Sequence, residues 1–410
     1  MIFNDSLRYV GEALYCDSVP VADIAAGAGT PLYVYSLPRV LHNLERVRAA
    51  FAPLGGRVHY SIKANGNLAL LRALGEAGVG MDAVSAGEIH RALAAGVPGE
   101  RMIFAGVGKT PDELAYALDN GVSWFNVENV EECRILNHLA AGRGLTAQVA
   151  LRLNPGIVAQ THRHIATGHG GAKFGLSAET VRHLLESQAD YPALRFAGLH
   201  LHIGSQLHDT AETVAAVRKA LELVRPYPSI RTLNIGGGIP VAYHAGEELP
   251  PPEAFAQALR PLLEGYQVIL EPGRAIVADA GILVTRVLYT KTQGDVTFVM
   301  VDAGMTELIR PALYEAHHEI VPVLRRNAPA QTVQIVGPVC ETTDVLGRDV
   351  SLPRPAPDDL LAIMTAGAYG MVMASNYNAR PRPAEIIVDG ERWQIARRRE
   401  TWDDLLRLER

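Results

Sequence analysis

Cysteine is scarce in this 410-residue chain: Cys16, Cys133 and Cys340 are odd in number and far apart. That argues against a disulfide framework and favours a reducing compartment. An excess of charge is also missing. The net charge is −6, acids and bases are interleaved, and no basic patch or acidic tail stands out. Nucleic acid and anionic membrane are therefore poor partners. Long hydrophobic runs are lacking too. The longest uncharged stretch, 360–377, is broken by Thr365, Gly367, Tyr369, Gly370, Ser375 and Asn376, and falls short of the ~20 apolar residues a spanning helix needs. It reads as buried strands. The opening MIFNDSLRYV has neither a basic nor an apolar region of the signal-peptide kind, so a cytoplasmic protein is expected. No internal repeat or low-complexity segment stands out.

What remains is an ordinary globular composition, 48% hydrophobic and 20% charged. Its length suits a large barrel with a smaller companion domain. From Thr30 to about Glu271, short β-rich runs alternate with amphipathic helical runs. Val40, Leu44, Val47 and Phe51 form one helical stripe, the spacing of a helix facing a core. Ser85 with Glu88, and Thr110 with Glu113 behind Pro111, read as helix-opening capping boxes. Gly78, Gly96 and Gly121 read as helix stops. Strands are expected at 57–64, 80–85, 101–106, 122–127, 147–154, 195–203, 230–235 and 267–271. Eight strand–helix units predict a closed (β/α)8 barrel of the TIM type, an open doubly wound sheet being the alternative. After Gly273 the pattern turns all-β, with turn punctuation. The expected division is a barrel over 30–273 and a β-barrel domain from 1–29 and 274–410, ending in a short helix near Trp402.

Lys63 is the first chemical candidate. In VHYSIK, Val58, Tyr60 and Ile62 alternate with His59, Ser61 and Lys63, so Lys63 is expected inside the barrel at its C-terminal end. A desolvated lysine there is a nucleophile able to form a Schiff base; a lysine snorkelling at a strand end is the plainer reading. Gly236, Gly237 and Gly238 follow the seventh strand, and Glu271, Gly273 and Arg274 the eighth. Loops there are the usual phosphate site of such barrels, and glycines let backbone N–H groups converge on an anion, although a glycine triplet can also simply mark a turn. A carboxylate at Glu271 suits a pyridine nitrogen and could also pair with Arg274. His200 and His202 share a strand face. With His162, His164 and His169 they suggest zinc, but no acid or cysteine stands at ligand spacing, so no metal is expected. A ring stacked on a flat cofactor explains one of the pair better. GVGKT at 106–110 imitates the end of a P-loop, yet Ile103 stands where that motif wants glycine, and Thr110 already serves as a cap. Cys340 is followed by Glu341 in GPVCETTD. Neighbouring negative charge disfavours a thiolate and suits a thiol that gives up a proton; a small buried hydrophobe is the alternative.

Together YSIKAN, RLNPGI, HLHIGSQ, NIGGG, EPGRAIVADAG, VDAGMTELIRPALYEAHHEI, GPVCETTD and GAYGMVMASNYNARPRPAE resemble the diaminopimelate decarboxylases, of the alanine-racemase-like fold class of pyridoxal-phosphate enzymes. The match runs nearly end to end. It implies a homodimer with active sites shared across the interface. By position it makes Lys63 the Schiff-base lysine and puts His202 on the pyridine ring. Ser205, Gly237, Gly238, Gly273 and Arg274 would surround the phosphate, with Tyr369 hydrogen-bonded to it, and Glu271 would face the ring nitrogen. Cys340, donated across the dimer interface, would give the proton. Arg274, Arg310, Tyr314 and Glu341 would hold the far end of the substrate. Thr342 stands where the family usually has serine, and keeps the hydroxyl.

Two arginines suit a carboxylate and a glutamate suits an ammonium, so this set asks for a zwitterionic distal end. Diaminopimelate has one; ornithine and lysine offer only an amine and would leave buried arginines unpaired. The expected reaction is decarboxylation of meso-diaminopimelate to L-lysine and carbon dioxide, the last step of lysine biosynthesis. The alternatives are a decarboxylase of another basic amino acid or a carboxylated polyamine, an amino-acid racemase, and a non-catalytic pyridoxal-phosphate-binding protein. The stretch 158–171 has the look of a lid.

Overall fold

The computed structural model describes residues 2–157 and 173–409; the lid-like stretch and its three histidines lie outside them. The chain divides into two compact units, Met1–Asn43 with Val241–Glu248 and Ile276–Arg410, and Leu44–Pro240 with Leu249–Ala275.

The second unit is the expected barrel. Its strands are Arg57–Ser61, Gly80–Ala83, Met102–Phe104, Trp124–Val127, Ala147–Arg152, Leu194–His200, Thr232–Asn234 and Gln267–Leu270, all parallel and closed into one ring. Closure is made by the eighth strand pairing with the first, Ile269 beside Arg57 and Leu270 beside Val58. An open sheet is thereby excluded. Closure also removes the exposed edges a parallel sheet would otherwise carry. Most strands end earlier than their hydrophobic runs suggested, because the last residues bend into the loops that build the barrel mouth.

The local signals behave as their chemistry demands. Val40, Leu44, Val47 and Phe51 are all buried. Thr110 and Glu113 form the full reciprocal box with Pro111 in the first turn. Ser85 caps Glu88 N–H, but Glu88 turns its own carboxylate to Val84 N–H instead. Gly78, Gly96 and Gly121 have φ of +82°, +86° and +80°, the left-handed geometry of helix ends.

The other unit holds a nine-stranded sheet and a small three-stranded one, Leu7–Val10, Ala13–Cys16 and Val19–Pro20. Its spine is the long strand Gly281–Gln293. One difference from the sequence reading falls here. The barrel expected from residue 30 begins later, since Leu32–Ser36 pairs with Gly281–Gln293 and Ala384–Asp389. All five of its side chains are buried, and Leu32 and Val34 pack with Ile282, Val284, Ile386 and Val388 in one core. Residues 360–377 are buried over most of their length, yet only Leu360–Ile363 is strand. The short terminal helix is Trp402–Leu406. No described helix is long and apolar enough to cross a membrane.

Candidate active site

Lys63 lies just past the first barrel strand, not on it: the strand stops at Ser61, and Lys63 occupies the tight turn Ile62–Ala64. The alternation still places the neighbours as expected. Val58 and Tyr60 are buried, while Ser61 faces the lumen and its hydroxyl donates to Asp82 Oδ2 at 2.7 Å. Lys63 Nζ donates to the same oxygen at 3.1 Å. The Asp82 side chain is fully buried, and that of Lys63 is 37% exposed. Burial raises the Asp82 carboxyl above its ordinary range, Glu271 adds to the rise, and Lys63 and Ser61 pull against it. The lysine thus has a fixed counter-ion and an accessible amine.

Glu271 follows the eighth strand and is almost fully buried. Its Oε1 accepts from Asn126 Nδ2 at 2.8 Å and Asn234 Nδ2 at 2.6 Å, and its Oε2 stands 3.2 Å from His200 Nε2. Burial works to raise its pKa, but His200, Lys63 and the Asn234 bond outweigh it and hold the carboxyl well below the usual carboxylate range. Glu271 is a buried anion. His202 goes the other way: burial first, then the charges of Lys63 and Arg152, press its pKa well below the usual histidine value. Its ring is neutral, and Gly237 N–H points at its Nδ1 across 3.4 Å.

The glycine triplet leaves no space for side chains. A Cβ on Gly237 would stand 2.5 Å from the Glu271 carbonyl oxygen, and one on Gly273 2.8 Å from Ala64 Cβ. Gly236 and Gly238 have φ of +68° and +96°, where other residues are strained. Beside them Arg274 opens the short helix Arg274–Val277 and donates through Nε and Nη2 to Ser205 Oγ at 3.3 and 3.2 Å. The barrel mouth therefore joins an amine, a neutral flat ring, a buried anion and a cationic, glycine-lined cradle. That donor set fits a phosphorylated pyridine aldehyde: a cradle for the phosphate, an anion for the ring nitrogen and an amine for the aldehyde.

The remaining candidates lie in the β-rich unit. Arg310, buried, opens the short helix Arg310–Tyr314, with its Cζ 4.5 Å over the Tyr243 ring. Tyr314 and Tyr369 are half-buried, and Tyr369 sits at φ +56°. Cys340 and Glu341 are exposed, so Cys340 is not the small buried hydrophobe its residue type allows. Their turn is nevertheless fixed. Asp344 accepts from Met305 N–H at 2.6 Å and Val339 N–H at 2.7 Å, Asn378 Oδ1 accepts from Cys340 N–H at 2.9 Å, and Tyr377 hydroxyl donates to Glu341 Oε1 at 2.7 Å.

Five residues at the mouth escaped the sequence reading in these roles: Asp82, Asn126, Arg152, His200 and Asn234. Each is polar and buried within an apolar barrel strand, close to its C-terminal end. That position alone was the available signal. Lys109 of the P-loop-like run is structural. It is buried against Glu132 Oε1 at 2.5 Å, and also donates to the carbonyls of Gly106 and Asn126.

Residues 37–278 match the family model described as "Pyridoxal-dependent decarboxylase, pyridoxal binding domain". The chain is 42% identical to the diaminopimelate decarboxylase of Zymomonas mobilis, across 97% of this chain and 96% of that one. It is 44% identical to that of Neisseria meningitidis serogroup A, across 95% and 97%. Among solved structures, diaminopimelate decarboxylase from Helicobacter pylori complexed with L-lysine is similar with a TM-score of 0.91 at 36% identity, covering 95% of this chain and 99% of that one.

Proposed function

The chain belongs to the pyridoxal-dependent decarboxylases, in the group of the diaminopimelate decarboxylases, and from that premise we propose how its residues divide the work. The protein is a pyridoxal-phosphate-dependent lyase that converts meso-diaminopimelate to L-lysine and carbon dioxide. The observation that carries this reading is the barrel mouth, where an accessible Lys63 on its Asp82 counter-ion shares one lumen with the buried anion Glu271 and a glycine cradle.

Pyridoxal phosphate, when bound, supplies an aldehyde that condenses with amines and a ring that accepts the electron pair released as carbon dioxide leaves. The chain's own groups do the rest. Lys63, its amine accessible beside Asp82, would hold the cofactor through its aldehyde. Glu271 keeps the ring nitrogen protonated, because a carboxylate buried in its ionised state stabilises a cation beside it. His202, its pKa pressed down by burial, would offer a flat ring to the cofactor. Gly236, Gly237, Gly238, Gly273, Ser205, Arg274 and Tyr369 hold the phosphate. Cys340 Sγ–H gives Cα the proton that replaces the lost carboxylate.

Arg274, Arg310, Tyr314, Tyr369 and Glu341 take the substrate's far end, cations on its carboxylate and the glutamate on its ammonium. A homodimer is part of the reading: Cys340 and Glu341 are exposed on the single chain, and a second subunit would shut water away from them. A cytoplasmic setting is supported by the three unpaired cysteines. The test is carbon dioxide release with pyridoxal phosphate from meso-diaminopimelate, L-lysine and L-ornithine compared. Release from the first alone is expected; faster release from ornithine or lysine would overturn the substrate assignment.

A further inference from the structure

Arg310 and His318 lie on either side of a reversal in the run RPALYEAHHEI. The helix Arg310–Tyr314 ends at Glu315, which takes left-handed geometry at φ +52° and turns the chain back. The strand Ile320–Pro322 then pairs antiparallel with Leu360–Ile363, and the ladder continues one step further, Met364 N–H donating to Glu319 O at 2.8 Å. This register sets His318, 2% exposed, between the Met364 carbonyl and Arg310.

The two contacts decide the state of the ring. His318 Nδ1 is 2.9 Å from Met364 O, and a carbonyl only accepts, so Nδ1 carries a proton. His318 Nε2 is 2.7 Å from Arg310 Nη1, and a guanidinium only donates, so Nε2 offers its lone pair. A single species meets both demands, the neutral imidazole protonated at Nδ1. A second proton would set N–H against N–H beside a permanent cation. The same ring meets Tyr243 edge-on, with centroids 5.1 Å apart at 85°, and Tyr243 in turn lies under the Arg310 guanidinium. The guanidinium is therefore fixed in plane by Tyr243 and in rotation by His318. A carboxylate in the place of His318 would also aim the guanidinium, but would cancel its charge. A neutral acceptor gives direction and does not itself cancel the charge.

We propose that His318 is the positioning residue for Arg310, and so sets the preference for a substrate bearing a carboxylate at its distal end. The inference rests on the reading of Arg310 as the group that binds that carboxylate. Two variants separate the two contacts of the ring. His318→Asn keeps a donor for Met364 O and falls short of Arg310; His318→Gln keeps an acceptor for Arg310 and gives up Met364 O. With His318→Asn, KM for meso-diaminopimelate is expected to rise about ten-fold with kcat within about two-fold, the loss of one charge-assisted bond. L-lysine, titrated calorimetrically, weakens by the same factor. Cadaverine, which lacks the carboxylate, binds as before. His318→Gln restores a near-normal KM.

Wild-type KM in His318→Asn, an equal loss in His318→Gln, or an equal loss for cadaverine would each overturn the proposal. Should His318→Asn not fold, His318→Phe takes its place, keeping a ring against Tyr243 without the acceptor. Arg310→Ala is run alongside. If it leaves KM and lysine affinity unchanged, the reading of Arg310 fails; if it raises KM while His318→Asn does not, the positioning role alone fails.

Discussion

Gly237→Ala is the sharpest test of where the cofactor's phosphate sits. Gly236 and Gly238 carry positive φ, so alanine at either would mix backbone strain with crowding. Gly237 does not, and it tests space alone. Its Cβ would stand 2.5 Å from the Glu271 carbonyl oxygen and 3.3 Å from the carbon, about 0.5 Å inside the shortest separation real Cβ atoms adopt. The opposing atoms are backbone, so no side chain can swing away and one loop must move. Overpacking of this kind costs about 1–3 kcal/mol, and the displacement falls on the N–H groups proposed to face the phosphate. Converted to affinity, that is roughly 5- to 150-fold weaker binding. Titrating the cofactor-stripped variant with pyridoxal phosphate and following its absorption gives the number directly. Gly108→Ala is the control, for nothing lies within 4 Å of its Cβ position and its φ is ordinary. If Gly237→Ala binds pyridoxal phosphate as tightly as the unaltered protein, the loop after the seventh strand is not the phosphate cradle.

Three further outcomes are expected. Lys63→Ala removes both turnover and the visible absorption of the bound cofactor; a variant that kept the absorption would show that another amine holds it. Cys340→Ala slows turnover by about 10²- to 10⁴-fold, the usual worth of a positioned proton donor, with cofactor absorption intact; normal turnover removes Cys340 from the mechanism. Glu88→Gln tests a pH effect. Burial, with Asp82 adding to it, pushes the Glu88 carboxyl up to about 7, against the bond from Val84 N–H. A carboxyl raised on folding binds its proton more tightly in the folded state, so it weakens the fold as pH climbs from about 4.5 through 7. The glutamine variant, which keeps an acceptor for Val84 N–H, is expected to match the unaltered protein near pH 5 and exceed it by roughly 1–3 kcal/mol at pH 8. Chemical denaturation at the two pH values checks it, and equal stability at both would refute the burial argument.

What could be read from the residues, and what could not, follows from the range of the forces involved. The barrel was legible because each strand and helix announces itself locally, through hydrophobic period, caps such as Thr110 with Glu113, and stops such as Gly78. Closure of the ring was legible only from the count of eight. The fate of Leu32–Ser36 was not legible at all. LYVYS reads equally well in either sheet, and what decides is its pairing with Gly281–Gln293, a partner far away in the chain that no local propensity encodes. The same distinction divides the candidate site. Glycines advertise a cradle by composition, whereas Asp82, Asn126 and Asn234 are lone polar residues whose meaning appears only when the ring brings Ser61, Lys63 and Glu271 against them. Buried polar groups of this kind are costly unless paired. Three of them at the C-terminal ends of apolar strands are therefore better explained by the groups they hold than by the fold. Asn126 and Asn234 place two donors on one oxygen of Glu271, and Asp82 places one oxygen against both Ser61 and Lys63. Substituting any of the three should therefore disturb the state of Glu271 or Lys63 before it disturbs the barrel.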